Sequence, residues 1–353
     1  MALVNQLEPD ALLGHFERHP PHGFTPFRAV DGAPLFSTSF DLLTTADDAT
    51  RHGVSRLPLQ GLIKRLLTVR TCFVGTTVSE YALFHATNPV TLAADWAERY
   101  GRTHPLLIVK DLAVDSPLTS ASERCWTSRF IDAARDRGYL ILEGQALAYV
   151  PIDFASVDEY LSRLSSSRRK NLRRKLRSRE AMDITCEVTG DAFADDAVVD
   201  AYYALFENVY AQSEVHFDKL SRAFFASAFR GQGGVVFSYR HKGELIGWNL
   251  CYEHRGKLLD KYVGFSYPAA RELNLYFVSW FVNLEYAMSR KLTHYVAGWT
   301  DPAVKAELGA RFHMTRHAIY IRNPVLRAVA ARLSHHFESD SQWATDDTAT
   351  DRP

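Results

Sequence analysis

From Gly234 to Gly264 three β-rich runs are separated by two glycine-containing turns, and this stretch limits the fold more than any other. Gly234-Val-Val-Phe-Ser-Tyr-Arg240 reads as a strand, His241-Lys-Gly-Glu244 as a hairpin turn, and Leu245-Ile-Gly-Trp-Asn-Leu-Cys-Tyr252 as the returning strand. Glycine in such turns supplies the positive φ that a tight reversal needs. Glu253-His-Arg-Gly-Lys257 is a second turn, and residues 258–264 form a third strand. A helix follows from about Ala269 to Ser289, with Leu273, Phe277, Phe281 and Leu284 at near-helical spacing. A strand over 293–297, a short helix over 302–308 stopped by Gly309, and a final strand pair around 316–321 complete the series. Upstream, helical patterns (93–100, 122–137) alternate with strand-like runs (69–75, 105–110, 139–143, 147–152). The pattern predicts an α/β protein with mixed sheets.

At 353 residues the chain exceeds the usual single-domain size, so two domains or two pseudo-repeated halves are expected. The reading is a preface over 1–64, an N-terminal half over 65–155, and a basic helix with connecting helices over 156–230. A C-terminal half over 231–325 and a terminal helix with a disordered tail over 326–353 follow. The 41 basic and 41 acidic side chains cancel, so any affinity for nucleic acid or membrane must rest on a local cluster. Cys72, Cys125, Cys186 and Cys251 form no CxxC pair, which points to reduced thiols and a cytoplasmic setting. The first residues lack an apolar run long enough for a signal peptide. The most apolar stretch, 273–288, is broken by Asn274, Asn283 and Glu285, so no integral membrane segment is expected.

The densest charge lies in Arg163–Glu180, where nine of eighteen residues are Lys or Arg against one acid. Ser167 is read as the N-cap of this helix, and Leu172 and Leu176 give it an apolar stripe. Arg168, Arg169, Lys170, Arg173 and Arg174 would repel one another unless an anion compensates them. Phosphates of coenzyme A, a nucleotide, tRNA or a lipid headgroup would serve, and a solvated helix is the alternative. Glu214 and His216 lie in a loop and are candidate acceptor contacts. Asn274 and Tyr276, at a helix start, either contact substrate or cap and pack the helix. His313 and His317 are four apart in strand-like sequence, so helical metal spacing does not apply and no metal site is expected.

Three segments carry a resemblance to a known family: residues 160–177, the run Lys261-Tyr-Val-Gly-Phe-Ser-Tyr-Pro-Ala-Ala-Arg-Glu-Leu-Asn-Leu-Tyr-Phe277, and Ala297-Gly-Trp-Thr-Asp-Pro-Ala-Val-Lys-Ala-Glu-Leu-Gly309. Together they resemble the FemAB-like, or BioF2-like, group of GNAT acyltransferases. The resemblance implies two GNAT-like halves, with the more complete site in the C-terminal one. It also implies that strands four and five splay apart and hold the acyl donor in the notch between them. Lys305 falls at the lysine thought to stabilise the oxyanion in Fem-type sites. Lys261, Tyr262 and Asp260 lie on the strand beside the expected notch. Period-two alternation puts Lys261 and Tyr262 on opposite faces and Asp260 with Tyr262, and makes Asp260 a candidate base. GNAT enzymes hold the coenzyme A pyrophosphate on a glycine-rich loop at the next helix, yet the equivalent loop here keeps a single glycine, Gly264.

The resulting expectation is an N-acyltransferase acting by direct attack of an amine on a thioester or ester donor. The acceptor would be a small molecule, lipid or peptide amine. No cofactor is bound permanently in this reading; acyl-CoA or aminoacyl-tRNA is a co-substrate. Two alternatives stay open: an aminoacyl-tRNA-dependent Fem-type transferase, and a non-catalytic GNAT-like module that binds an anionic envelope or lipid precursor.

Overall fold

The computed structural model describes residues 3–42, 67–213 and 217–333. In chain order the elements begin α1 (Asp10–Arg18), β1 (Thr25–Arg28), β2 (Pro34–Asp41), β3 (Thr68–Val74), α2 (Pro89–Thr103), β4 (Leu106–Leu112), α3 (Ala121–Asp136) and β5 (Leu140–Pro151). They continue with α4 (Val157–Ser162), α5 (Ser166–Leu176), β6 (Asp183–Val188), α6 (Asp196–Gln212), α7 (Arg222–Arg230), β7 (Gly234–His241), β8 (Glu244–His254) and β9 (Lys257–Phe265). Last come α8 (Ala269–Glu272), α9 (Leu275–Ser289), β10 (His294–Gly298), α10 (Pro302–Glu307), β11 (Arg311–Ile321) and α11 (Pro324–Leu333). No described helix is long and apolar enough to cross a membrane.

The chain folds into two compact units that interleave in sequence. Among the described residues, the first comprises 3–6, 23–42, 67–146 and 314–333, with strand order β1-β2-β3-β4-β11. β3 and β4 run parallel, joined by the crossover helix α2, whose start is capped by Asn88. The core beneath α2 and α3 stacks Phe84, Trp96, Trp126 and Phe130. Beyond the parallel pairing the chain closes on itself. Gly75 N–H donates to Pro34 O and Ala82 N–H to Asp111 O, and Thr76, Ser79 and Tyr81 are buried there.

The second unit comprises residues 7–22 and 147–313. Its strand order is β10-β9-β8-β7-β6, and residues 148–151 of β5 pair antiparallel with β10. The hairpins β7–β8 and β8–β9 turn where the sequence placed Lys-Gly and Arg-Gly, with all four turn residues at positive φ. α9 is the crossover to the parallel strand β10, burying Leu275, Val278, Phe281 and Leu284 against the sheet. The architecture is the mixed α/β one expected from the sequence.

Three local expectations are corrected. The single helix read over 269–289 is two helices, because Asn274 adopts a left-handed conformation (φ 53°) between α8 and α9. The N-cap of α5 is Ser165, whose hydroxyl accepts from Arg168 N–H at 3.4 Å, and Ser167 lies inside the first turn. The last strand pair is one long strand, β11.

Candidate active site

In the second unit β9 and β10 pair over three residues only: Lys257, Leu258 and Leu259 face His294, Tyr295 and Val296. β9 then continues to Phe265, while β10 breaks register after Val296 and turns at Gly298 (φ 79°). The two strands therefore diverge, and Asp260 is the first β9 residue past their last parallel pair. Parallel strands that separate leave backbone donors and acceptors exposed along the gap, which suits an extended acyl donor.

Asp260 is half-buried and draws its partners from three elements. Asn249 of β8 donates its Nδ2 to Oδ1 and Oδ2 at 3.1 and 3.2 Å. Asn283 of α9 donates to Oδ2 at 2.9 Å, and the Tyr295 hydroxyl of β10 donates to the same oxygen at 2.9 Å. Asn283 also donates to Tyr295 Oη at 3.2 Å, which fixes both donors. The Cys251 thiol lies 3.6 Å from Oδ1. Oδ2 is thus the anchored oxygen and Oδ1 the less committed one. Burial raises the Asp260 carboxyl above its ordinary range, against the opposing pull of Asn249, Tyr295 and the Lys305 ammonium.

Lys305 sits on α10, close enough to Asp260 to favour its charged form, and only 3% of it is exposed. Pro302 starts that helix, and the preceding Asp301 is left-handed (φ 53°), its carbonyl accepting from Lys305 N–H at 3.1 Å. α4 braces the far end of α10: the Tyr160 hydroxyl donates to Leu308 O at 2.5 Å. Gly309 is indispensable there, since its φ is 93° and a Cβ would meet Leu164 and Tyr160 at 2.8 Å.

Lys305 and Tyr276 each lie near enough to Asp260 for the charges to be felt. The Tyr276 phenol is raised by burial and by the charges of Asp301 and Asp260. Lys261 and Tyr262 are directed elsewhere. Tyr262 packs edge-on to Phe224 and Phe225 of α7, and Lys261 pairs with the buried Glu8 at 3.5 Å. The reading that Asp260 shares a face with Tyr262 is corrected. Cys251 pairs with Asp260 and Leu250 with Tyr262, so Lys261 is the extra residue of a β-bulge that breaks the alternation. Asn274 does not cap α9 through its side chain; its Nδ2 donates to Ser178 Oγ at 3.2 Å, a packing role. Glu214 and His216 lie outside the described residues. Asn249, Asn283 and Tyr295 were not read from the sequence as site residues. Their signal was an amide inside an otherwise apolar strand and another inside an apolar helix.

On α5, Arg173 pairs with Asp158 at 2.8 Å, Arg174 donates to Asn171, and Arg169 reaches Ser162 O at 3.5 Å. Arg168 and Lys170 make no ion pair among the described residues. Leu172 is buried and Leu176 packs on the same core, so one side of α5 is fixed to the unit. Gly264, read from the sequence as the glycine of the loop after the third strand, lies within β9, where it pairs with Trp248. A Cβ on Gly264 would stand 2.2 Å from Trp248 Nε1 and 2.9 Å from Leu205 Cβ.

The FemAB-like family, described as peptidoglycan biosynthesis/recognition, matches residues 97–353. The chain belongs to the FemAB-like family. Over 331 residues this FemAB-like chain is 27% identical to a Mycobacterium tuberculosis protein that carries the provisional name 8-amino-7-oxononanoate synthase 2, with 87% of this chain covered. The chain spans 41% of the length of that curated relative. Among solved structures it is similar to L-PGS from Bacillus licheniformis, with TM-score 0.55 at 11% identity, covering 93% of this chain and 97% of that one. It is also similar to FemX, with TM-score 0.53 at 13% identity, covering 94% and 99%. At these identities the likeness is one of fold.

Proposed function

We propose that the second unit of this FemAB-like chain transfers an acyl or aminoacyl group to an amine by direct attack at the end of the β9–β10 pairing. The observation that carries the reading is the hydrogen-bonded Asp260 carboxylate facing the buried Lys305 where the two strands part. Aminolysis needs a base for the attacking amine and a positive group for the tetrahedral oxyanion. With the acyl carbonyl in the gap, the amine nitrogen bonds to the carbonyl carbon and the C=O electron pair moves onto oxygen, where the Lys305 ammonium stabilises it. Asp260 Oδ1 takes the proton from nitrogen. The oxyanion then collapses, the bond to the leaving sulfur or oxygen breaks, and the leaving thiolate or alkoxide takes the proton from Asp260, which regenerates the carboxylate. Asn249, Asn283 and Tyr295 hold the carboxylate in place through the cycle.

A thioester and an aminoacyl ester both satisfy this scheme. The family description supports a peptidoglycan-related amine as acceptor. The test is to incubate the protein with acyl-CoA or aminoacyl-tRNA and a panel of amine acceptors, and to follow amide formation by mass spectrometry. Amide from one donor, lost in Asp260→Asn and Lys305→Met, supports the reading and fixes the donor class. Binding of an acceptor with neither donor consumed would replace it with the non-catalytic alternative.

A further inference from the structure

The phosphates of a GNAT donor need a cradle, and the loop after β9 does not provide a glycine-rich one. That loop, residues 266–268, holds no glycine, and the helix that follows, α8, has four residues before the left-handed Asn274 ends it. The basic helix α5 lies against this place. Lys175 Nζ sits 3.3 Å from the ring centroid of Phe277, in the first turn of α9, and Ser178 holds Asn274. Lys175 also feels Glu307 at the end of α10, so it stands between the helix that follows the gap and the helix that carries Lys305. Its ammonium is lowered chiefly by burial, which marks it as a cation held partly out of water.

Helical spacing divides the charges of α5 into two sets. Arg168, Asn171 and Lys175 recur at three- and four-residue steps and share one flank. Lys170, Arg174 and Arg177 share another, on the side opposite Leu172 and Leu176. Four acids near α5 are taken by other residues, Asp153 and Glu159 by Arg163, Asp158 by Arg173, and Glu285 by Arg179, while Glu307 acts on Lys175. Arg168 has none among the described residues.

Resting on the transferase reading, we propose that the Arg168–Asn171–Lys175 flank of α5 binds the diphosphate of a phosphate-bearing substrate in place of the loop after β9. Arg168 offers a planar fork and Lys175 a point charge, two geometries suited to neighbouring phosphate groups. The outer set is left for the solvated surface.

The experiment is calorimetric titration of the whole chain with inorganic pyrophosphate at two salt concentrations. It uses wild type, Arg168→Gln/Lys175→Met, and Lys170→Gln/Arg173→Gln/Arg177→Gln, which spares Arg174 because it donates to Asn171. Methionine keeps the packing on Phe277, and thermal melts confirm that each variant is folded. Roughly tenfold or greater weakening in the double variant, with under about twofold change in the triple, is the expected result. Competition by acetyl-CoA but not by acetyl-pantetheine assigns the diphosphate to the donor; competition by UDP assigns it to a nucleotide-linked acceptor. Unchanged affinity in the double variant, or loss only in the triple, overturns the proposal. Because the readout is binding, it can fail while transfer is observed, or succeed while no transfer occurs.

Discussion

Replacing Asp260 with asparagine tests the chemistry and the electrostatics of the site in one step. The substitution is isosteric, and the amide oxygen can occupy the place of Oδ2 and keep the donors Asn283 and Tyr295. The amide N–H₂ then faces Asn249 Nδ2, so one hydrogen bond becomes a donor–donor contact, and Lys305 loses its countercharge. Against these costs, a carboxylate that burial disfavours is removed. The opposing terms leave stability within about 2 kcal/mol of wild type. Loss of a general base costs roughly 10²- to 10⁴-fold in rate, about 3–5 kcal/mol of barrier. The pH dependence has a definite sign. The folded-state carboxyl is raised above 3.8, so protons bind the folded form more tightly. Ionisation of Asp260 therefore lowers stability as pH rises from the unfolded value through the folded one, and the variant lacks that decline. Activity runs the other way: kcat/KM of wild type falls on the acid side, below the raised value, as the base becomes protonated. The assay is kcat/KM against pH for both proteins with one amine acceptor. A variant that keeps wild-type rates within about threefold, with the same acid limb, would refute the role of Asp260 as base.

Lys305→Met should reduce kcat by roughly 10²- to 10³-fold and move the acid limb to higher pH, because the ammonium that favours the Asp260 carboxylate is gone, measured by steady-state kinetics. Asn283→Leu removes a donor to both Asp260 and Tyr295; the acid limb should move to higher pH and chemical denaturation should show a loss of about 1–3 kcal/mol. Gly264→Ala should destabilise by about 1–3 kcal/mol through its clash with Trp248, and KM for a phosphate-bearing donor should change little in the folded fraction.

The order of elements in residues 234–298 was legible because its turns carry glycines where positive φ is required and its crossover helix has a clear apolar period. Lys305 was reached through the family resemblance and Asp260 by its place on the third strand. The setting of Asp260 was not legible, for a physical reason: a β-bulge is a one-residue insertion in pairing, and nothing in Asp-Lys-Tyr marks it. Once it is present, the alternation rule points the wrong residues at the gap. Asn249 and Asn283 show a second limit. Their amides interrupt apolar runs, and such an interruption reads as weakened helix or strand until the carboxylate they serve is placed opposite them. The charges of α5 were visible as a cluster, but which of them are neutralised depends on Asp153, Asp158, Glu159 and Glu285, and only the fold brings those into range.

The interleaving of the two units bears on how the chain is made. Residues 7–22 belong with a unit whose remaining residues start at 147. Within it α1 docks on α7, where His15 Nδ1 and Ser227 Oγ stand 2.7 Å apart and His15 meets Phe224 edge-on. During synthesis, α1 must wait for roughly two hundred further residues before its partner emerges, ~10–40 s at ordinary elongation rates. Its apolar face (Leu12, Leu13 and Phe16) is exposed to other partners throughout that interval. A fragment cut at residue 147 would carry the catalytic candidates yet lack the helix that covers α7, so dissection by simple truncation should yield an aggregation-prone product.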